Sequence, residues 1–506
     1  MAKQLLFLLR QDGKKRRQSE ACGRGNNMND MILILDSSQE VGQEIARRLR
    51  AEKICAQIVP AGTKAEAIRT HDPRGLILCG EANASSDKLD PAITKLGIPV
   101  LALGRAAYGL LGILGGAHAD VAISEKKATM TYGKSALLTG IGDGERFFTQ
   151  AHTLMLPADV TEIASAAGCS IAFEDAERRI YGVQFDLERN DPEGSVILMN
   201  FVMDICGCQA TWTLENALAK AEETLEKAAA KGGHAVCAVS GGVDSALCAL
   251  LAHRAFGEKM TAIFVDNGLM REGEAEDVCK TMDALGIPVL CVDRSDEILE
   301  RLAHKRGMRE KHAVVLDRMY TEILHQCAAI EGDKVIILGT NYSDFLESGS
   351  GAPKWRVSGM TVVEPLGNLF KDEIRAIAQM LGMGEELVGR KPFPALGLGA
   401  RIVGEVTAER LRALRTAERI FRMEIEQAGL ERRLYKYFPV LIDWEPLGME
   451  MMALRAVTLS GGMLIPARLP YDLVERTVGK IMEELPMISR VLYDQTPTGI
   501  GQESFN

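Results

Sequence analysis

The chain has 506 residues, enough for about three domains at the usual 100–200 residues each. With 47% apolar and 25% charged residues, it has the composition of a soluble globular protein that can bury several cores. The net charge of −10 argues against nucleic acid as the main partner, because that interaction needs a basic surface. No apolar run approaches the roughly 18 residues of a membrane span.

Residues 1–29 contain a short apolar run, Leu5–Leu9, and then a polar, basic stretch. The run is too short for a signal peptide and lacks a cleavage site. We therefore expect a disordered tail here, or a start assigned too early. The 11 cysteines include no C-x₂-C pair, and their scattered placement predicts free thiols in a reducing cytoplasm.

From residue 30 to 208, short β-rich runs alternate with amphipathic helices, which predicts an α/β domain with a parallel sheet. Its predicted elements are strands at Met31–Leu35, Gly75–Cys79, Val100–Leu103 and Tyr181–Phe185, and helices at Gln43–Ala51 and Ser195–Cys206.

An Ala-, Glu- and Lys-rich stretch over 209–233 predicts a linker helix into a second α/β unit at 234–394. That unit has predicted strands at Ala235–Val239, Met260–Val265, Val289–Val292 and Val335–Leu338, and a helix at Ser245–Phe256. Residues 395–506 predict a smaller α+β domain, with a helix at Ala408–Ala428 and strands at Tyr437–Ile442, Met451–Val457 and Val491–Tyr493.

One loop in the second unit has a composition suited to binding phosphate: Ser240-Gly241-Gly242-Val243-Asp244-Ser245. It follows a predicted strand and opens a helix, so its glycines let the backbone approach an anion while N–H groups point at it. Ser240 and Ser245 add hydroxyl donors. A carboxylate beside phosphates usually holds Mg²⁺, which makes Asp244 the predicted metal ligand. A lone Gly-Gly turn is often only structural.

The loop lacks the Gly-Lys-Ser/Thr ending of a Walker loop. This difference indicates cleavage of ATP between its α- and β-phosphates, so ATP and Mg²⁺ are the predicted cofactors. The next strand ends at Phe264-Val265-Asp266-Asn267-Gly268, on the edge where open α/β sheets bind ligands. Val265 is therefore assigned to the ATP site, and Asp266 is either part of that site or a turn cap.

These segments resemble the GMP synthetases, which convert XMP to GMP, and the match runs from Met31 to Asp494. Other ATP pyrophosphatases, such as NAD and asparagine synthetases, share the Ser240–Ser245 loop but not the succession of motifs that follows it. The motifs are Phe264–Arg271, Gly339–Asp344 with Glu347–Gly351, Glu364–Leu366 with Leu369–Glu373, and Pro392–Pro394 with Gly397–Arg401.

The resemblance implies three domains. They are a flavodoxin-like amidotransferase-type domain over 30–208, an adenine-nucleotide α-hydrolase-like ATP-pyrophosphatase domain over 234–394 with a parallel sheet, and a small α+β dimerisation domain over 395–506. It also implies a homodimer, and a reaction in which XMP attacks the α-phosphorus of ATP before ammonia displaces AMP. The protein then works by positioning and charge neutralisation. Asp244, Lys371 and Arg401 are the catalytic candidates, although both cations could equally be surface charges.

The first domain departs from the family where a glutaminase needs Cys, His and Glu. Gly104 stands at the Cys position and Asp186 at the His position, so Glu188 alone remains. Glu81-Ala82 replaces small residues of the oxyanion loop, where a carboxylate would repel the developing charge. We expect no glutamine hydrolysis, and ammonia as the nitrogen source.

The acceptor side also departs from the family. Thr498 takes the position of a Lys that holds the XMP phosphate, His312 aligns with an Arg although Lys311 remains, and the lid segment is shortened at Pro353–Val357. Three hypotheses stay open: an ammonia-using GMP synthetase, a paralogue that adenylates another acceptor, and a non-catalytic regulatory relative that binds nucleotide.

Overall fold

The computed structural model describes residues 30–37, 40–80, 89–123, 127–147, 151–185, 187, 192–328, 334–342, 344, 360–391, 393, 396–444, 449–460 and 463–499. The predicted tail at 1–29 lies outside these residues. The described residues up to 219, with 342 and 344, form one compact unit, and the other described residues form a second. None of the described helices is long and apolar enough to cross a membrane.

The first unit is built on eleven strands and four helices. The strands are β1 (Met31–Asp36), β2 (Cys55–Pro60), β3 (Gly75–Cys79), β4 (Val100–Leu103), β5 (Ala117–Ile123), β6 (Lys127–Tyr132), β7 (Gly144–Phe147), β8 (Ala151–Met155), β9 (Thr161–Ala166), β10 (Cys169–Asp175) and β11 (Ile180–Val183). The helices are α1 (Glu40–Ala51), α2 (Ala65–His71), α3 (Ala106–Ile113) and α4 (Pro192–Met199).

Nine of these strands form one sheet in the order β2-β1-β3-β4-β11-β10-β9-β6-β7. The first five are parallel and the rest pair antiparallel, while β5 and β8 form a separate ribbon. β3 and β4 are buried along their whole length, as expected of parallel strands covered on both faces. The predicted parallel sheet is confirmed, and β3 and β4 have the predicted bounds.

The helix predicted at Ser195–Cys206 differs from the observed one. The α-helix ends at Met199, and Asn200–Ile205 continues as a π-helix. Buried Asn200 donates to the carbonyls of Leu137 (3.0 Å) and Thr139 (2.8 Å). These two hydrogen bonds occur where the α-helix changes to a π-helix. Apolar periodicity does not reveal a π-turn, because it changes the hydrogen bonding more than the pattern of buried residues.

The second unit begins along α5 (Leu214–Ala230), a helix within the 209–233 stretch where the sequence predicts one. Its first sheet contains β12 (His234–Val239), β13 (Met260–Asp266), β14 (Val289–Asp293), β15 (Lys334–Ile337) and β16 (Met360–Val363). Its helices are α6 (Val243–Phe256), α7 (Glu274–Ala284), α8 (Ser295–Leu302), α9 (Met308–Ala328), α10 (Lys371–Met380) and α11 (Glu385–Val388). The sheet is wholly parallel, in the order β14-β13-β12-β15-β16.

The C-terminal part is the expected α+β arrangement around a six-stranded sheet. It contains β17 (Ile402–Val403), β18 (Lys436–Trp444), β19 (Met449–Ser460), β20 (Met463–Pro466), β21 (Ile488–Tyr493) and β22 (Thr498–Gly499), with α12 (Ala408–Gln427) and α13 (Tyr471–Glu484). One buried core runs from Leu269 and Ile298 to Phe421 on α12. The segments after β13 and the C-terminal helices are thus packed together within this unit.

The prediction that every cysteine is a free thiol is wrong for one pair. Cys279 on α7 and Cys291 on β14 form a disulfide. The two elements lie side by side, so residues 12 positions apart in sequence meet in space. Their spacing carries no recognisable signal. Five further cysteines are free thiols, as predicted: Cys169, Cys206, Cys208, Cys237 and Cys248.

Candidate active site

The Ser240–Ser245 loop lies at the turn between β12 and α6. β12 is the central strand, and the chain adds β13 and β14 on one side before it crosses to β15 and β16 on the other. This reversal of strand order makes the carboxyl end of β12 the topological switch point, where open α/β sheets bind ligands. The apolar strand therefore places the loop where the sequence analysis expected a nucleotide.

Two glycines occur where the neighbouring atoms leave no room for a side chain. Gly241 has φ +81°, and a Cβ added there would lie 2.4 Å from Cγ2 of buried Val278 on α7. Gly339, just after β15, meets the loop from the other side. A Cβ on Gly339 would lie 2.7 Å from the Ser245 Cα and 2.9 Å from its nitrogen. The loop is therefore confined between α7 and the end of β15.

Hydrogen bonds inside the loop fix which donors face outward. The Ser245 hydroxyl donates to the Gly242 carbonyl (3.1 Å) and accepts from the Ser240 N–H (3.0 Å). It thus closes the loop, rather than pointing out of it as the sequence analysis assumed. The N–H groups of Gly242, Val243 and Asp244 have no acceptor among the described residues. Three consecutive free N–H groups at a helix N-terminus form a cradle for an anion.

Asp244 and Lys371, two of the predicted catalytic residues, are brought together. The Lys371 ammonium at the start of α10 donates to Asp244 Oδ2. Asp244 Oδ1 is buried and accepts no hydrogen bond from the described residues, and the same holds for Glu364 Oε1 just after β16. No group of three or more potential metal ligands occurs in the described part of the chain. A single carboxylate such as Asp244 is compatible with Mg²⁺, which proteins usually bind through one or two carboxylates together with substrate phosphates.

The other predicted site residues have mostly structural surroundings. Val265 is 3% exposed and packs in the core under the sheet. Asp266 Oδ1 accepts from the Gly268 N–H (2.9 Å), which is the turn-cap alternative. Arg401 is buried, with its guanidinium carbon 4.7 Å from the ring centroid of Phe438 and 5.2 Å from that of Phe393. Its charge lies between two aromatic rings.

Arg390 contacts the loop and pairs with Glu274, and neither residue was among the predicted site residues. Arg390 donates to the Gly241 carbonyl (2.9 Å) and to Glu274 on α7 (2.5 Å). Glu274 is 5% exposed, which is unusual for a carboxylate. Arg390 precedes the Pro392–Pro394 motif, so proximity to a motif was the only signal available.

Comparison with known proteins finds relatives that match more than nine-tenths of the chain. The family model described as NAD synthase matches residues 214–405, which include the loop. A GMP synthase (glutamine-hydrolyzing) of Geobacillus kaustophilus is 36% identical, over 92% of this chain and 98% of its own. Those of Bacillus subtilis and Caldicellulosiruptor saccharolyticus are each 34% identical, over 93% and 92% of this chain and 97% and 98% of their own.

The chain belongs to the GMP synthase family.

The sequence analysis predicted that Gly104 stands where the GMP synthase family has its nucleophilic Cys. Gly104, between β4 and α3, has φ +56°, and its N–H donates to the Val183 carbonyl (2.8 Å). A Cβ on Gly104 would find no atom within 4 Å. The predicted positions Asp186 and Glu188, and the Glu81-Ala82 pair, lie outside the described residues.

A hydrogen-bonded network involves α3, the helix that follows Gly104. The Tyr108 hydroxyl on α3 donates to Gln184 Oε1 (2.6 Å), and Gln184 also bonds the backbone of His152. Burial raises the pKa of Tyr108 to about 12. Gln184 belongs to the Gly-Val-Gln-Phe stretch that resembles the GMP synthase family, and here it links three elements.

Near the other end of the chain lies Thr498, which was predicted to stand where the family has a phosphate-binding Lys. Its hydroxyl accepts from Arg455 Nη2 (2.7 Å), and Arg455 also pairs with Asp494. Arg455 is 4% exposed. The positive charge that contacts Thr498 is therefore a buried guanidinium with a carboxylate partner.

Proposed function

We propose that this chain is an AMP-forming ligase that adenylates XMP with ATP and aminates the product to GMP, with ammonia as the nitrogen source. Membership of the GMP synthase family supports the ligase class. The single observation that carries the proposal is the phosphate cradle, with three free N–H groups at the switch point of a parallel sheet.

The chemistry needs positioning more than covalent participation by the protein. The N–H groups of Gly242, Val243 and Asp244 would hold the pyrophosphate part of ATP, and the Lys371 ammonium would neutralise charge as it leaves. Asp244 would hold Mg²⁺ through its free Oδ1, and the bound ion would neutralise further charge on the phosphates. The XMP oxygen is then placed in line with the α-phosphorus, and ammonia replaces AMP in a second step.

The choice of ammonia rests on the first unit. A glutaminase of this kind needs a thiol nucleophile beside an imidazole. Gly104, at the position predicted for that thiol, has no side chain. The positive φ of Gly104 is a backbone shape that costs a non-glycine residue energy, so glycine relieves the elbow of strain while removing its function. We infer that glutamine is not hydrolysed here, in contrast to the activity in the relatives' names.

One observation favours a second candidate, a paralogue that adenylates a different acceptor. Thr498 and its bond to Arg455 replace a flexible cation at the expected phosphate position. Losing such a charge-assisted bond costs roughly 1.5–3 kcal/mol, enough to lower affinity for XMP substantially. The subunit arrangement we propose is a homodimer, by resemblance of the C-terminal part to the family's dimerisation domain.

Pyrophosphate release measured with MgATP, ammonium and a panel of nucleotides tests the proposal. Release that depends on XMP supports GMP synthesis, release only with another nucleotide supports the paralogue, and no release with any acceptor contradicts both. Glutamine in place of ammonium should give no rate above background. Glutamate formation that is lost on Glu188→Gln would overturn the inactive-glutaminase part of the proposal.

A further inference from the structure

We propose that Arg390 and Glu274 form a positioning pair that sets the orientation of the ATP loop, so that Arg390 controls the use of ATP without contacting a substrate atom. This inference rests on the proposed role of the loop in binding ATP. Neither Arg390 nor Glu274 is among the site residues that the sequence predicts.

The peptide group between Gly241 and Gly242 links the Arg390 contact to the phosphate cradle. In a planar trans peptide the carbonyl and the following N–H point in opposite directions, and no described peptide bond in this chain is cis. The Gly241 carbonyl therefore points away from the direction of the Gly242 N–H. Arg390 Nη1 holds that carbonyl at 2.9 Å, and in doing so fixes where the first free donor of the cradle points.

Glycine makes this restraint necessary. Gly241 has φ +81° and is followed by Gly242, so the peptide between them has more conformational freedom than any other in the loop. Without an external partner on its carbonyl, this peptide could rotate and turn the Gly242 N–H away from the phosphates. A guanidinium is well suited to prevent this, because its planar donors are fixed relative to one another.

Glu274 fixes the guanidinium in turn. Its Oε1 lies 2.5 Å from Arg390 Nη2, and its Oε2 accepts from the Arg271 N–H (3.2 Å). Both oxygens of this buried carboxylate are thus occupied, and Glu274 sits in the first turn of α7, where negative charge is favourable. One turn further along α7, Val278 occupies the space beside Gly241. The same helix therefore limits Gly241 sterically and anchors the residue that holds its carbonyl.

The test compares Arg390→Gln with Arg390→Lys, Glu274→Gln and a matched control, Arg476→Gln. Arg476 also pairs with a buried carboxylate, Glu424, at 3.0 Å, but it lies on α13. For each variant, the melting temperature, kcat and the KM for MgATP and for XMP are measured through pyrophosphate release with ammonium.

Arg390→Gln should lower kcat/KM for ATP by about 10–100-fold, the range expected for losing a charge-assisted hydrogen bond, and leave the KM for XMP unchanged. Arg390→Lys should lie between Gln and wild type, because a single ammonium cannot reproduce both bonds of the fork. Glu274→Gln should have a smaller effect, since Arg390 keeps its bond to Gly241. Arg476→Gln should lower the melting temperature while kcat/KM for ATP stays within about twofold of wild type, since Arg476 touches nothing in the loop.

An Arg390→Gln protein that melts lower but uses ATP as efficiently as wild type would overturn the inference, because the pair would then be only structural. Should Arg390→Gln fail to fold, kcat/KM for ATP in Arg390→Lys and Glu274→Gln, relative to wild type, tests the inference instead. If wild type releases no pyrophosphate with any acceptor, the proposed function has failed, and the dissociation constant for MgATP by calorimetry replaces kcat/KM. An unchanged constant in Arg390→Gln then refutes the positioning role separately.

Discussion

Two turns of this protein each contain a glycine with positive φ, but their surroundings differ. Gly241 and Gly104 both follow a parallel strand, both have positive φ and both lead into a helix. A Cβ on Gly241 would collide with Val278, whereas a Cβ on Gly104 would meet nothing within 4 Å. A glycine can therefore be required by its neighbours, as Gly241 is, or can stand where the neighbours leave room for a side chain, as Gly104 does.

Gly241→Ala should produce the largest effect. The added methyl must displace Val278 or the loop, and a displacement of about 1 Å at a positioning site can cost roughly 100-fold in rate. We expect pyrophosphate release to fall by about that factor. The double variant Gly241→Ala with Val278→Ala removes the clash and should recover part of the rate. A double variant as slow as Gly241→Ala alone would mean that φ, not space, dictates glycine here.

Tyr108 on α3, the helix that follows Gly104, should contribute to stability in a way that depends on pH. Because burial raises the pKa of Tyr108 to about 12, the folded state holds this proton more tightly than the unfolded state. The contribution of Tyr108 is therefore complete below about pH 10, and is lost as the pH rises from there towards 12.

The free energy of unfolding, measured by urea at pH 9 and pH 11.5 in wild type and Tyr108→Phe, checks this. The difference between the two proteins should shrink or reverse with rising pH, by up to about 2 kcal/mol. Tyr471→Phe is the control, because Tyr471 is 80% exposed. A pH-independent difference for Tyr108→Phe would indicate that its hydroxyl is solvated.

Gly104→Ala should have the smallest effect. The methyl enters empty space, so the cost is the left-handed backbone alone, about 1 kcal/mol of stability, with pyrophosphate release unchanged. This variant is also the matched control for Gly241→Ala, since both place alanine at a positive φ. Equal losses of pyrophosphate release in the two variants would show that the contrast between the turns is not functional.

The sequence predicts the parts of this fold that depend on local pattern. The buried parallel strands β3 and β4 and the loop after β12 are recognisable because apolar runs, glycines and a helix start lie next to one another in sequence. The parts it misses depend on contacts between distant residues. Arg390 meets Glu274 from 116 positions away, and Cys279 meets Cys291 only because α7 packs beside β14. Arg401 has the right charge in the right motif, but tertiary packing places it between two phenylalanines.

Gly339 has no side chain, and this absence sets the clearance between the residue after β15 and the start of α6. The end of β15 is in direct backbone contact with the start of α6, and even one additional carbon would push the two apart. A complete survey of single substitutions would therefore record position 339 as intolerant, and an observer without the structure would mistake it for a ligand contact. Substitution data for this family should be interpreted with that in mind, because intolerance at a glycine can measure clearance between main chains rather than affinity.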